Sequence, residues 1–230
     1  MITSHNPLAR LIRKAARVEP EELGATFASF LFVLTLMAAY YILRPIRDAM
    51  SSDWSDAELS ALFTATFVFS LLAVALYGLA CSRVRFRRLV PGVYAAFAAS
   101  FLLFYSLSTT GGEPEWVRQS FYVWVSVFSL FHVSVFWSYM ADIFRREQAQ
   151  RLFGFIAAGA SIGAILGPTL AVALVGMLGP SNLIVVSAGL LLIPVAIIAY
   201  LEKGLGGAQG APAGGDSHAA IGGNPFAGFS

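Results

Sequence analysis

The string Tyr40-Tyr41-Ile42-Leu43-Arg44-Pro45-Ile46-Arg47-Asp48 gathers two guanidinium groups, a carboxylate and two phenols within nine residues. Arg44 and Asp48 stand four apart, which on a helix brings the two side chains face to face, and Arg47 follows Arg44 by three. Guanidinium groups in an aqueous cavity can hold a carboxylate or a phosphate through paired hydrogen bonds. Pro45 removes the helical hydrogen bond to the Tyr41 carbonyl and favours a bend. Freed carbonyls at membrane depth are tolerated where they line protein or water. Two readings follow. In one, Tyr40, Tyr41, Arg44, Arg47 and Asp48 bind an anionic solute. In the other, the arginines mark the place where an apolar segment meets lipid headgroups.

Further candidates lie along the chain. His132 falls in the middle of an apolar run, beside Ser129. An ionisable group at that depth is a candidate solute contact or proton carrier, and a neutral histidine bonding a neighbouring helix fits equally well. Asp142 and Arg146 are four apart, with Ser134 and Ser138 on the stripe leading to Asp142, and Arg151 follows. Together they read either as a gate built from ion pairs or as the polar end of a helix. Gly154, Gly163, Gly167 and Pro168, with Gly159 interleaved, place small residues where a partner helix can approach closely. Pro168 could act as a pivot. The loop from Gly78 through Arg83 to Arg88 is strongly basic and can pair with helix C-termini and nearby acids.

These residues require elements to hold them, and composition decides which. Of 230 residues, 57% are apolar and 12% charged, against about 45–50% and about 25% in a soluble globular chain. The mean hydropathy is +0.72. A water-soluble domain of this size has too little interior for so much apolar surface. A spanning helix needs about 20 mostly apolar residues, and six stretches qualify: about 23–43, 59–81, 89–107, 120–140, 153–178 and 183–201. Glu19-Pro20-Glu21-Glu22 opens the first, Ser55-Asp56 caps the second, and Gly179-Pro180-Ser181-Asn182 reads as the turn before the sixth. The fold class expected is an all-α membrane protein, a bundle of six transmembrane helices.

Twelve of the arginines and lysines fall at one set of ends: Arg10, Arg13, Lys14, Arg17, Arg83, Arg85, Arg87, Arg88, Arg145, Arg146, Arg151 and Lys203. Three (Arg44, Arg47 and Arg118) fall at the other. That bias places both termini in the cytoplasm and the chain in a cell (inner) membrane. Residues 1–22 read as a basic cytoplasmic segment. Residues 202–230, rich in Gly and Ala, read as a flexible linker toward a second six-helix half. The lone Cys81 supports no disulfide framework, and His5, His132 and His218 stand too far apart in sequence for a zinc-type spacing. No cofactor, metal or nucleic-acid partner is expected. An enzyme is set aside, because no paired carboxylates or nucleophile–base pair occur at a workable spacing.

Six spans with both ends on one face resemble the N-terminal half of a major facilitator superfamily transporter, a fold of twelve helices. The Gly154, Gly163, Gly167-Pro168 spacing is similar to that superfamily's fifth-helix antiporter motif, with Ala171-Val172 where the motif closes on Gly-Gly. The loop from Gly78 resembles its Gly-x3-Asp-Arg loop, with Ser82 in place of the acid. A narrower resemblance is to the ATP/ADP antiporter (nucleotide transporter) family of bacteria and plastids. Its first-helix Leu-Arg-x-x-Lys-Asp string is matched by Leu43 to Asp48, with Arg47 for lysine. Its Phe-Trp and Glu-Ala-x-Arg-x-Tyr-type strings are similar to Phe136-Trp137 and to Gln148 to Phe153. The resemblance implies that Arg47 contacts solute. The acid which that family carries within its fourth helix has no counterpart before Asp142.

The leading expectation is half of a secondary transporter, rocking against a second bundle around a midplane site and moving an anionic, nucleotide-like solute. One alternative is proton-coupled efflux of drugs or metabolites, with His132 as the proton carrier. The other is a membrane anchor or sensor domain.

Overall fold

The computed structural model describes residues 18–110 and 114–208, so the basic residues Arg10, Arg13, Lys14 and Arg17 and the end of the expected linker lie outside it. The described residues form α1 (Leu23–Met50), a 3-10 turn (Ser51–Asp53), α2 (Asp56–Arg83), α3 (Phe86–Thr110), α4 (Glu115–Ile143), α5 (Arg146–Leu178) and α6 (Pro180–Ala208). Six of these helices are long and apolar enough to cross a membrane. They run 25 to 33 residues, about 38–50 Å at 1.5 Å per residue, and so exceed the roughly 30 Å of hydrocarbon. That excess places helical backbone beyond the apolar runs at both ends. Below, the two ends of the bundle are the Glu22 end and the Arg44 end.

Most helices run past the expected bounds: α1 ends at Met50 instead of Leu43, α3 and α4 are longer at both ends, and α5 opens at Arg146 instead of Phe153. α6 differs at both ends as well. The turn before α6 shrinks to Gly179, which takes φ 80, because Pro180 has no N–H to lose at a first helical position. Asn182 lies inside α6 and donates to the Leu178 carbonyl at 2.7 Å. At the other end α6 continues through 202–208, the start of the expected linker. Extending an existing helix avoids the cost of nucleating one. The Ser55 cap forms as expected: its hydroxyl accepts from the Glu58 N–H, and the Glu58 carboxylate accepts from the Ser55 N–H at 2.8 Å.

α1 is the hub and packs against α4, α5 and α6. Its crossing with α5 brings backbone against backbone, and the reason is local. The buried positions of α5 are Leu152, Ile156, Gly159, Gly163, Gly167 and Ala171, one stripe at helical spacing. A Cβ placed on Gly159 would lie 2.6 Å from the Phe30 carbonyl oxygen. One on Gly163 would lie 2.3 Å from that of Leu34, and one on Gly167 would lie 2.5 Å from the Tyr41 Cβ. The paired numbers rise together, so the two helices run parallel with backbone against backbone. Gly154 and Gly78 meet nothing within 4 Å. Gly154 therefore stands outside the close-packed stripe in which the motif spacing had placed it.

The remaining core is aromatic. Phe32 meets Tyr94 and Phe136 edge-on at 5.4 and 4.9 Å, and Phe128 packs against Phe97 and Phe101. Side-chain hydrogen bonds tie neighbouring helices: Ser187 donates to the Ala39 carbonyl, Tyr94 to the His132 carbonyl, and Trp124 Nε1 to Ser100. α2 is the exception. Leu62 is its sole buried residue, and it meets the bundle mainly through α4.

The glycine stripe yields a stability prediction. Gly163→Val should lower the unfolding temperature in detergent by the equivalent of about 1–3 kcal/mol, the usual cost of forcing volume into a packed contact. Gly154→Val should stay near wild type. Thermal unfolding followed by tryptophan fluorescence separates the two, and equal stability of both variants would refute the close crossing.

Candidate functional site

Pro45 lies inside α1, and the helix runs on through it to Met50. Arg44, Arg47 and Asp48 therefore all project from regular helix near the Arg44 end. Asp48 serves both arginines: Arg47 Nε and Nη2 donate to its Oδ1 at 3.0 and 2.7 Å, and Arg44 Nε lies 3.6 Å from its Oδ2. The two cations differ in setting. The Arg47 side chain is 16% exposed against 48% for Arg44. Arg47 reaches across to α4, where Nη1 donates to Ser126 Oγ at 3.4 Å and the guanidinium lies 5.5 Å from the Tyr122 ring. Arg44 lies over the Tyr41 ring. Two guanidinium groups against one carboxylate leave a local charge of +1.

His132 does not join them. It is 1% exposed, stacked on Phe128 at 4.7 Å and tilted against Tyr40 at 5.0 Å. Its Nδ1 lies 2.7 Å from the Phe128 carbonyl of its own helix, and Nε2 has no partner among the described residues. Tyr40 and Tyr41 are half-buried, ring against ring at 5.0 Å. The expected solute contacts thus fall into an ionic group (Arg44, Arg47, Asp48) and an aromatic group around His132, which Tyr40 and Tyr41 link along α1.

Between α2 and α4 lies an open cavity of about 300 Å3, which sequence reasoning did not foresee. Its walls include Ser70 and Tyr77 from α2 and Leu130, Phe131, Ser134 and Ser138 from α4. At the Arg44 end the α2–α4 seam is closed by a small apolar cluster of Leu62, Tyr122, Val123 and Val127.

Among the described residues, ionic contacts join separate elements at the Glu22 end, one around Asp142 and a group around Arg151. Arg87, in the first turn of α3, lies 4.0 Å from Asp142 near the end of α4. The expected Asp142–Arg146 pairing along one helix does not form. α4 ends at Ile143, Phe144 and Arg145 are extended, and Arg146 opens α5. Arg83 and Arg146 are exposed at this end. The stronger contact involves a residue that the sequence reading left as a helix-end acid. Glu22, 8% exposed, accepts from Arg151 Nη2 at 3.0 Å and from Gln148 Nε2 at 2.9 Å, and its other oxygen accepts from the Glu19 N–H at 3.2 Å. Gln148 also accepts from the Arg145 N–H and so caps α5 while holding α1.

A second unforeseen strut stands at the Arg44 end. Arg118 Nη2 donates to the Met50 carbonyl at 3.0 Å, and the guanidinium pairs with Asp53 and Glu115 and lies over the Trp54 ring. Trp54 Nε1 in turn donates to Glu115. This cluster satisfies the end of α1 and fixes the turn into α2.

The arrangement is a parallel α1–α5 crossing on glycine, ionic contacts at both bundle ends, and a cavity between two apolar helices. Compared with known families, the chain matches the model described as Major Facilitator Superfamily over residues 25–221. The chain belongs to the major facilitator superfamily. It is a multi-pass membrane protein of a transporter superfamily, and the six helices supply the bundle of one half of that fold. No curated protein and no solved structure gives a match to it.

In this superfamily member the Glu22–Arg151 contact carries a pH signature. Burial alone pushes the Glu22 carboxyl up, but hydrogen bonds from Gln148, the Glu19 N–H and Arg151, with the charge of Arg151, outweigh it and hold the carboxyl below its usual range. The contact therefore stabilises the fold fully above the unfolded carboxylate pKa of about 4.3 and loses that effect as pH falls through the lower folded value. The unfolding-temperature gap between wild type and Glu22→Gln should be widest near neutral pH and close on acidification. A gap that does not change with pH would refute the assignment.

Proposed function

We propose that the chain forms one half of a secondary transporter that moves an anionic solute by alternating access, working against a second six-helix bundle. The observation that carries this reading is the setting of Arg47. A guanidinium that is largely withdrawn from solvent, braced by Ser126 and Tyr122 and sharing a single carboxylate with Arg44, leaves one positive charge uncompensated. Partly desolvated arginines exert a stronger field than exposed ones, and their planar donors suit carboxylate and phosphate. Asp48 holds both arginines, and an arriving anion would compete with it.

The likeness of Leu43 to Asp48 to the first-helix string of the nucleotide antiporters supports an anionic solute, with nucleotide-like solutes among those to test. The twelve-to-three distribution of basic residues supports termini in the cytoplasm of a cell whose inner membrane holds the protein. In this orientation the Glu22–Arg151 and Arg87–Asp142 contacts are the cytoplasmic closures. The Gly163, Gly167, Pro168 segment is where α5 would accommodate the motion.

Arg47→Ala should reduce anion uptake into proteoliposomes about ten- to hundredfold, the expected loss of a charge-assisted pair of hydrogen bonds. Arg47→Lys should keep part of it. Labelled phosphate, dicarboxylates and nucleotides serve as the panel, with correct folding checked by size exclusion. Wild-type uptake by Arg47→Ala would remove this residue from the site.

A further inference from the structure

The α2–α4 cavity differs from the rest of the bundle in what lines it. Along α4, Ser126, Leu130, Ser134 and Ser138 recur every fourth residue and so share one stripe. Ser134 and Ser138 donate to carbonyls of their own helix, which leaves their lone pairs free to accept. Across the cavity Ser70 and Tyr77 of α2 are spaced seven apart, on one face. Among the described residues, the Ser70 hydroxyl oxygen is buried with no hydrogen-bond partner, and the buried Tyr77 hydroxyl has the weakly accepting Cys81 thiol beside it as its one polar contact. Thr26 and Ser29 of α1 also carry unpartnered hydroxyls, but these do not line the cavity. The α4 wall thus offers acceptors, and the α2 wall holds two shielded hydroxyls whose donors are weakly used or unused. The Phe131 ring, edge-on to Tyr77 at 5.0 Å, and the Leu130 side chain supply apolar surface beside them.

That pattern suits a compact skeleton bearing several hydroxyls, each of which both donates and accepts while its C–H faces lie on aromatic and aliphatic carbon. A volume of about 300 Å3 is at the small end of the range for ligand pockets. The stripe also runs to the anion site. Ser126, which accepts from Arg47, lies one turn from Leu130 on the cavity wall, about 6 Å along the axis.

We propose that the α2–α4 cavity is a subsite for a hydroxylated carbon skeleton, which makes the solute a small polyhydroxylated organic anion. Its charge rests at Arg47 and its hydroxyls on the nearer wall residues Ser70, Tyr77 and Ser134, with Ser138, twelve residues beyond Ser126, at the far end of the cavity. The anionic half of this assignment rests on the transport reading above, and the hydroxyl half stands on the cavity alone.

Binding to the purified full chain in detergent, measured by calorimetry, tests the two halves separately with three probes. Gluconate has both hydroxyls and charge, sorbitol has hydroxyls only, and hexanoate has charge only. Gluconate should bind most tightly and hexanoate at least tenfold more weakly. Ser70→Ala and Tyr77→Phe, which remove one oxygen each, should weaken both sorbitol and gluconate about three- to tenfold and leave hexanoate unchanged. Arg47→Gln should weaken gluconate and leave sorbitol unchanged. Sorbitol and gluconate binding that ignores the α2 substitutions, no binding of either, or hexanoate as tight as gluconate would overturn the subsite. Sorbitol binding that responds to Ser70 and Tyr77, together with gluconate binding that ignores Arg47, would uphold the subsite and sink the anion reading.

Discussion

The backbone contact between α1 and α5 determines most of what surrounds it. In lipid there is no hydrophobic drive to bring helices together, so association rests on close van der Waals fit and polar contacts. Gly159, Gly163 and Gly167 allow that fit by leaving no atom between α5 and the Phe30, Leu34 and Ala38 carbonyls. At such separations Cα–H groups also meet carbonyl oxygens, a weak attraction repeated at each turn. Once the two helices are parallel and in register, their first turns are neighbours. Glu22 is then placed to meet Gln148 and Arg151. The ionic contact at the Glu22 end follows from the glycine register as much as from charge.

The seam between α2 and α4 shows the opposite regime. Here no glycine stripe draws the backbones together, and α2 buries one residue where α1 buries twelve. The helix is anchored at the Arg44 end, through Leu62 against Tyr122, Val123 and Val127, and through the Ser55 cap above it. Farther along, α2 faces the cavity with Ser70, Val74 and Tyr77, and the edge-on contact of Tyr77 with Phe131 does not fill the space between the helices. Tight packing at one seam and space at the other are thus two outcomes of the same rule, in which side-chain size sets how closely backbones approach.

The six spans were legible because a run of about 20 apolar residues has few other fates. Their ends were not, since helix continues past hydrocarbon for as long as backbone bonding favours it, as it does beyond Leu43 and beyond Leu201. The Ser55 cap and the Gly159, Gly163, Gly167 stripe could be read because each is a local pattern. Pairing across the bundle could not. Glu22 meets a residue 129 positions away, and nothing nearby in sequence marks it apart from Glu19 or Glu21. The Asp142–Arg146 expectation failed for a related reason: four-residue spacing implies contact only while the helix continues, and α4 ends between them. The serines and tyrosine of the cavity were each visible, but the choice of α4 as the neighbour of α2 was not.

The arginines of the Arg44 end show how setting decides role for one residue type. Arg118 is matched in charge: Asp53 and Glu115 pair with it, the Met50 carbonyl accepts from Nη2, and the Trp54 ring lies under the guanidinium. A group so fully matched gains nothing from a solute, and its work is to hold the corner between α1 and α2. Arg44 and Arg47 share one carboxylate, and the remaining contacts of Arg47 are a neutral hydroxyl and a ring face. Neither contact cancels charge, so the pair retains an attraction for an anion that Arg118 has already spent within the fold. The same accounting explains why the buried, stacked His132 belongs with the aromatic core. A positive charge there would face Phe128 and Tyr40 with no carboxylate among the contacts it makes.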